Sequence, residues 1–333
     1  MAIETELKLR IAPEHMARLR AHSFWHAHAL TAPRTRQLFN QYFDTPDLAL
    51  HHAAMALRLR RNGEQWLQTL KGGGAIEAGL HQRNEWEIAV AGAALDFSAH
   101  AEVDWDSLLP QALREKLQPV FVTDFMRSSF MLNFMGAQIE VCMDEGWIHT
   151  DTRRHAICEV ELELKSGATQ ALFELALALL DIVPLSIEVV NKAEYGFRLL
   201  DENFVESASV CARLKLDTQQ GVAVQLQSLM WAGLLHLQKN LCGIHGTESP
   251  LFLVQVQLAL RRLNVLLRVI EKCSNDSVWR ELKTQLGHLS CAALDEPALQ
   301  RVMLKIASAM SATPSFSLVS HPKLPRALRA YRA

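Results

Sequence analysis

The chain has 333 residues, 49% hydrophobic and 21% charged, with a net charge of -2, a composition ordinary for a globular protein and long enough for two domains. Its six cysteines (Cys142, Cys158, Cys211, Cys242, Cys273 and Cys291) are scattered without a C-x-x-C pair, which argues against a disulfide framework and structural zinc. No apolar run approaches membrane-spanning length and the N-terminus enters a strand at once, so the expectation is a cytoplasmic protein with no signal peptide and no membrane partner. The small net charge conceals a division. Residues 206 to 333 carry 15 Lys and Arg against 8 Asp and Glu, while residues 1 to 205 carry 19 against 28. An acidic first half suits a metal site built from carboxylates, and a basic second half suits either an anion or a mildly basic helical surface.

In chain order, residues 1 to 10 alternate strictly. As a strand they place Ile3, Leu7 and Leu9 on one face and Glu4, Glu6, Lys8 and Arg10 on the other. Pro13 opens a helix to about Ser23, and residues 26 to 36 read as a His- and Ala-rich loop. Leu38 to Thr45 is a strand. Ala54 to Arg61 and Gln65 to Lys71 form a hairpin, followed by a flexible loop at Gly72, Gly73 and Gly74. His81 to Ala89 is a strand and 92 to 118 is loop with short helices. Val120 to Leu132, Ala137 to Glu145 and, after a turn at Gly146, Trp147 to Arg153 are strands. His155 to Lys165 repeats the opening pattern, with Glu159, Glu161 and Glu163 on one face and Val160, Leu162 and Leu164 on the other. Eight or nine antiparallel strands with charge on one parity predict a closed barrel with a polar lumen.

Carboxylates held side by side repel unless a cation neutralises them, and hard divalent ions take oxygen ligands. Rows of Arg and Lys beside them suit phosphate oxygens. The residues thus predict a lumen for a metal-bound polyanion. Thr169 to Leu180 reads as a helix and Asn191 to Leu200 as a short helix or turn. Beyond a boundary near 205 the chain is predicted helical over Val222–Leu241, Glu248–Cys273, Val278–Leu289 and Pro297–Met310, with an irregular tail from about 313. The apolar run Leu229 to Leu241 fits internal packing and a subunit interface equally. The histidines at 22 to 28 and His51-His52 read as surface residues, and no nucleic-acid reading motif is present.

The ordered motifs resemble the CYTH superfamily, the triphosphate tunnel metalloenzymes. They are Glu4-x-Glu6-x-Lys8, Tyr42-Phe43-Asp44-Thr45, Arg58-x-Arg60, Lys71, Arg83-x-Glu85-x-Glu87, Arg127, Asp144, Glu159-x-Glu161-x-Glu163 and Lys192. The resemblance implies an α+β protein: an eight-stranded antiparallel tunnel with flanking helices over residues 1–204, then an all-helical domain over 205–333. It also implies Mg or Mn held by Glu4, Glu6, Asp144, Glu159 and Glu161, with Asp144 near the attacking water. Lys8, Arg58, Arg60, Lys71, Arg127 and Lys192 would grip the phosphates. Arg83, Glu85 and Glu87 would assist, one of the carboxylates fixing a basic side chain. Within the family the chain is similar to inorganic triphosphatases, which hydrolyse tripolyphosphate to pyrophosphate and phosphate. The alternatives are a thiamine or nucleoside triphosphatase, a class IV-like adenylate cyclase, and a polyphosphate-binding module without turnover. The helical half resembles a shortened CHAD domain. It keeps Arg261 and Arg262 of that module's basic motif but has Val254, Gln257 and Asn264 at other motif positions, which weakens the expectation of polyphosphate there.

Overall fold

The computed structural model describes residues 2–77, 79–98, 105–211, 221–244, 249–274, 276–289 and 295–312. Arg83 is placed only by its backbone on a strand, and the predicted tail from 313, Cys291 and the stretch 212–220 lie outside the described residues. The chain divides into two compact units. The first holds Met1–Ala75, His81–Lys165 and Val190–Phe204; the second holds Ile76–Leu80, Ser166–Val189 and Val205–Ala333.

In the first unit the period-two pattern becomes eight strands: β1 (Ala2–Ile11), β2 (Arg34–Asp44), β3 (Met55–Asn62), β4 (Gln65–Glu77), β5 (Leu80–Val90), β6 (Gln118–Phe134), β7 (Ala137–His149) and β8 (Arg154–Ser166). Their order is β5-β4-β3-β2-β6-β7-β8-β1, and β5 also pairs with β1, so the sheet closes into a tunnel. Closure leaves no free edge and separates an inner from an outer face on every strand. Leu7, Leu9, Leu57, Leu59, Val160 and Leu162 are fully buried on the faces opposite the charged rows. Two apolar clusters support the wall, one around Leu50, Leu57, Leu59, Leu70 and Trp105, the other around Leu38, Tyr42, Phe121, Phe125 and Phe197.

Short helices join the strands: α1 (Pro13–Arg20), α2 (Phe24–His28), α3 (Ala49–His52), α4 (Trp105–Leu108) and α5 (Gln111–Arg114). The buried carboxylate of Asp44 accepts the backbone N–H groups of Thr45, Leu50 and His51 at 2.7, 2.9 and 2.9 Å, which fixes the crossing from β2 through α3 to β3. Three expectations change. The histidine-rich stretch contains α2, and β2 begins at Arg34. Gly72 to Gly74 run on within β4, where Gly72 pairs with Met55, so they form no loop. Gly146 is no turn: β7 is continuous and Gly146 faces Phe125 of β6. A Cβ there would lie 2.3 Å from the Asp124 carbonyl oxygen and 2.5 Å from the Phe125 Cα, so glycine serves close strand approach.

The second unit contains α6 (Gln170–Leu180), the short strand β9 (Leu185–Ile187), α8 (Val222–Ile244), α9 (Leu251–Cys273), α10 (Ser277–His288) and α11 (Glu296–Ala312). Helix α7 (Lys192–Leu200) belongs to the first unit. On α9, Phe252, Val256, Ala259, Leu263, Leu266 and Ile270 are buried at helical spacing. Its Phe252 and Leu263 press on Gly243 and Gly233 of α8, where no larger residue fits without displacement. Among the described residues no helix is long and apolar enough to cross a membrane.

Candidate active site in the tunnel

Strand parity delivers the side chains to a cavity of about 400 Å³ inside the tunnel. From β1 come Glu4, Glu6 and Lys8; from β8, Glu161, Glu163 and Lys165; from β3, Arg58 and Arg60. Lys71, Glu85 and Glu87, Arg127 and Lys192 line it from β4, β5, β6 and α7. Register sets opposite charges side by side: Lys8 pairs with Glu161 across β1 and β8, and Arg127 with Asp144 across β6 and β7.

The acidic wall lies on β7, β8 and β1. Asp144, Glu159 and Glu161 are buried, and one carboxylate oxygen from each lies within 4.8 Å of the others. Lys192 places its Nζ 2.7 Å from Asp144 Oδ2 and 2.9 Å from Glu161 Oε1, and also contacts Glu159. Lys8 contacts Glu161, with Glu6 Oε1 at 3.2 Å and Glu159 Oε1 at 3.9 Å. Arg127 holds Asp144 through Nε at 2.8 Å and Nη2 at 2.6 Å, and reaches Glu161 as well. Asp144 is therefore enclosed and fully paired rather than open to the cavity. Glu4 and Glu6 lie outside the group of three, Glu4 accepting from Lys71 Nζ at 2.5 Å.

Burial disfavours charge throughout this wall, yet the ion pairs decide most groups. Burial opposes ionisation of Glu161, but Lys192, Lys8 and Arg127 outweigh it and hold the carboxyl well below its ordinary range. Asp144 follows the same pattern through Arg127 and Lys192. Burial works against the charge on Lys192, but Asp144, Glu159 and Glu161 raise its pKa. Glu159 is the exception: burial pushes it up to about 7 despite Lys192 and Lys8, with Glu161 and Asp144 adding repulsion.

The opposite wall is basic. Arg58 contacts Tyr42, with Glu85 Oε1 3.6 Å away, and its buried Nε has no partner. Arg60 donates from Nε to the neutral Asn40 side chain at 2.8 Å, and Asn40 in turn donates to Thr123 Oγ1 at 2.8 Å. Burial, together with the nearby Arg58 and Arg127 and against Glu87 and Tyr42, lowers the Arg60 pKa to about 10. A positive group held this way is relieved by an incoming anion. Glu87 accepts from Thr69 Oγ1 at 3.0 Å, and Glu85 lies 3.5 Å from Lys71, so Glu85 bridges two cations while Glu87 is tied to the strand. Glu163 pairs with Lys165 at 2.6 Å toward one end.

Residues 2–195 match the CYTH domain. The chain belongs to the CYTH family. It is similar to an inorganic triphosphatase of Haemophilus influenzae, 32% identical over 209 residues that make up 62% of this chain and 57% of that protein. The chain thus matches a little over half the length of that relative. Among solved structures it is similar to a Hippeastrum protein described as an adenylyl cyclase with a dominant triphosphatase activity, at 17% identity. That match covers 58% of this chain and 95% of the other, with a TM-score of 0.45. A Bacillus halodurans protein described as an adenylate cyclase matches at 21% identity, 59% and 98% coverage and a TM-score of 0.40.

Several lining residues were not singled out from the CYTH-like sequence as site residues. Arg36, Leu38, Asn40 and Tyr42 of β2 all face the cavity, at the same period-two spacing that marks β1 and β8. The signal was available in that alternation, but a Leu and a Tyr interrupt the charge row. Of the histidines, His51 stacks on Phe197 at 4.2 Å, and the described groups of potential metal ligands include no histidine.

Proposed function

We propose that the tunnel is a metal-dependent inorganic triphosphatase site hydrolysing tripolyphosphate to pyrophosphate and phosphate. The observation that carries this reading is the buried Asp144, Glu159 and Glu161 trio, whose Glu161 lines one cavity together with Arg58 and Arg60. Close oxygen donors suit a hard divalent ion, Mg or Mn, and the Haemophilus relative supports a triphosphate as its companion. Bound there, with Glu6 and Glu4 at its margin, the ion supplies charge neutralisation on phosphoryl oxygens. Arg58, Arg60 and Lys71 bind non-bridging oxygens from one side, and Lys8, Arg127 and Lys192 from the other. Together they fix the anion for in-line attack by water and stabilise charge on the transferring group. Asp144 positions Arg127 and Lys192.

Two aromatic rings among the described lining residues favour an inorganic substrate over a nucleotide. Tyr42 is stacked on Phe121 at 4.5 Å, and Phe125 has Lys192 Nζ and Arg127 at 5.1 and 5.6 Å from its ring centre. Both rings are already engaged by other side chains. We assign catalysis to residues 1–204 and a CHAD-like helical role to 205–333, where exposed Arg261 is the candidate contact for polyphosphate.

Phosphorus NMR of the products tests the reading. Tripolyphosphate with Mg or Mn should yield pyrophosphate and phosphate, with ATP and thiamine triphosphate turned over more slowly and no turnover in EDTA. Cyclic AMP and pyrophosphate from ATP would identify a cyclase instead. Bound but intact tripolyphosphate would identify a binding module.

A further inference from the structure

The cations assigned to phosphate are held by the carboxylates assigned to metal. Lys8 and Lys192 both bring their ammonium groups to the same oxygen, Glu161 Oε1, and both address Glu159 Oε1. Lys192 touches all three members of the carboxylate trio, and it is held in place as the first residue of α7, capped by Asn191, which accepts from Glu194 N at 3.0 Å. A divalent ion cannot take Glu161 Oε1 while two ammonium groups occupy it. Displaced into a buried region, those ammonium groups lose their counter-charge unless an anion takes them up. The converse holds as well: an anion that draws Lys8 and Lys192 away leaves three carboxylates with Arg127 as their one remaining cation among the described contacts unless a metal arrives.

We propose that Lys192, with Lys8, makes the site refuse metal alone and triphosphate alone and accept them as a pair. This rests on the triphosphatase reading of the tunnel. Linkage then requires each ligand to raise the affinity of the other by the same factor, within the range of about 5- to 150-fold usual for coupled sites. Lys192 is thus both a phosphate ligand and the occupant that keeps the carboxylates neutral between turnovers.

The test measures each ligand without the other, which also avoids chelation of the metal by tripolyphosphate. Mn²⁺ alone is titrated into wild type and Lys192→Met, read by the EPR signal of free ion. Tripolyphosphate alone, in EDTA, is titrated into wild type and Glu161→Gln by calorimetry. The proposal expects Lys192→Met to bind Mn²⁺ at least about fivefold tighter than wild type, and Glu161→Gln to bind tripolyphosphate at least about fivefold tighter. If Lys192→Met does not fold by circular dichroism, Lys8→Met replaces it, because Lys8 shares the same carboxylate oxygen. Unchanged or weaker binding in either arm overturns the proposal. Failure of wild type to bind tripolyphosphate even with Mg²⁺ overturns the triphosphatase reading instead, and the Mn²⁺ arm still decides whether lysine guards the carboxylates.

Discussion

Arg127 and Asp144 face each other across the β6–β7 ladder and meet through two parallel hydrogen bonds of 2.8 and 2.6 Å. Asp144 has no exposed surface, and the Arg127 side chain is 15% exposed. Removing the carboxylate charge while keeping its shape leaves Arg127 and Lys192 short of a counter-charge. Asp144→Asn should therefore lower stability by about 3 to 5 kcal/mol, the usual cost of breaking a buried pair on one side. Urea unfolding of the two proteins in EDTA gives the difference.

The ion-pair wall also sets a pH window. Glu161 is held below its ordinary value of 4.5, so its stabilisation is present above about pH 4.5 and is lost as acid carries the pH through the lowered folded value. Lys192 is raised above its ordinary 10.5, so its share is present below that value and is lost as pH rises through the higher folded one. Glu159 runs the other way. Burial raises it to about 7, so the folded state holds its proton more tightly and stability declines from about pH 4.5 to 7. In EDTA, Glu159→Gln should lose less stability than wild type between pH 5 and pH 8. An identical loss in both proteins counts against the assignment.

Arg60 is a weakly compensated cation, bonded to neutral Asn40 and pressed by Arg58 and Arg127 against Glu87 and Tyr42. Arg60→Met should reduce kcat/KM for tripolyphosphate by roughly 10- to 100-fold, as expected for losing a charge-assisted hydrogen bond worth about 1.5 to 3 kcal/mol. Steady-state kinetics at saturating Mg²⁺ reads this directly.

Gly196 of α7 faces Phe121, and an added Cβ would lie 2.1 Å from that ring. Phe121 belongs to the cluster under β2 and β6 and cannot move freely. Gly196→Ala should push α7 outward, carry Lys192 off the carboxylate trio and lower activity at least about tenfold while the protein stays folded, since overpacking of this kind costs about 1 to 3 kcal/mol. Circular dichroism and turnover measured on the same preparation separate the two effects.

The rows on β1, β3 and β8 were legible because a strand repeats every two residues and charge marks one parity without ambiguity. Arg127, Asp144 and Lys192 carried no such local pattern: Arg127 and Asp124 stand three apart on β6, Asp144 sits beside Glu145 on β7, Lys192 opens a helix, and only the ordered resemblance pointed to them. Asn40 and Tyr42 escaped because neutral polar groups in a mixed row look like packing. Gly146 reads from sequence as a turn and the glycines of β4 as a flexible loop, since glycine's permissiveness in the chain says nothing of whether the constraint is a bend or a neighbouring strand pressed close. The convergence of Asp144 from β7 and Glu159 and Glu161 from β8 on the Lys192 ammonium group was beyond sequence altogether, because it depends on two strands and a helix start meeting in space.

The rate of phosphate release from tripolyphosphate, measured for wild type and Glu161→Gln with Mn²⁺ and with EDTA, decides whether the β8 carboxylates hold a metal used in turnover. Wild type should release phosphate rapidly with Mn²⁺ as the sole metal, a release abolished by EDTA and reduced by at least about 100-fold in the variant. Equal release in EDTA, or full activity in Glu161→Gln, would contradict a metal-dependent site built on the β8 carboxylates.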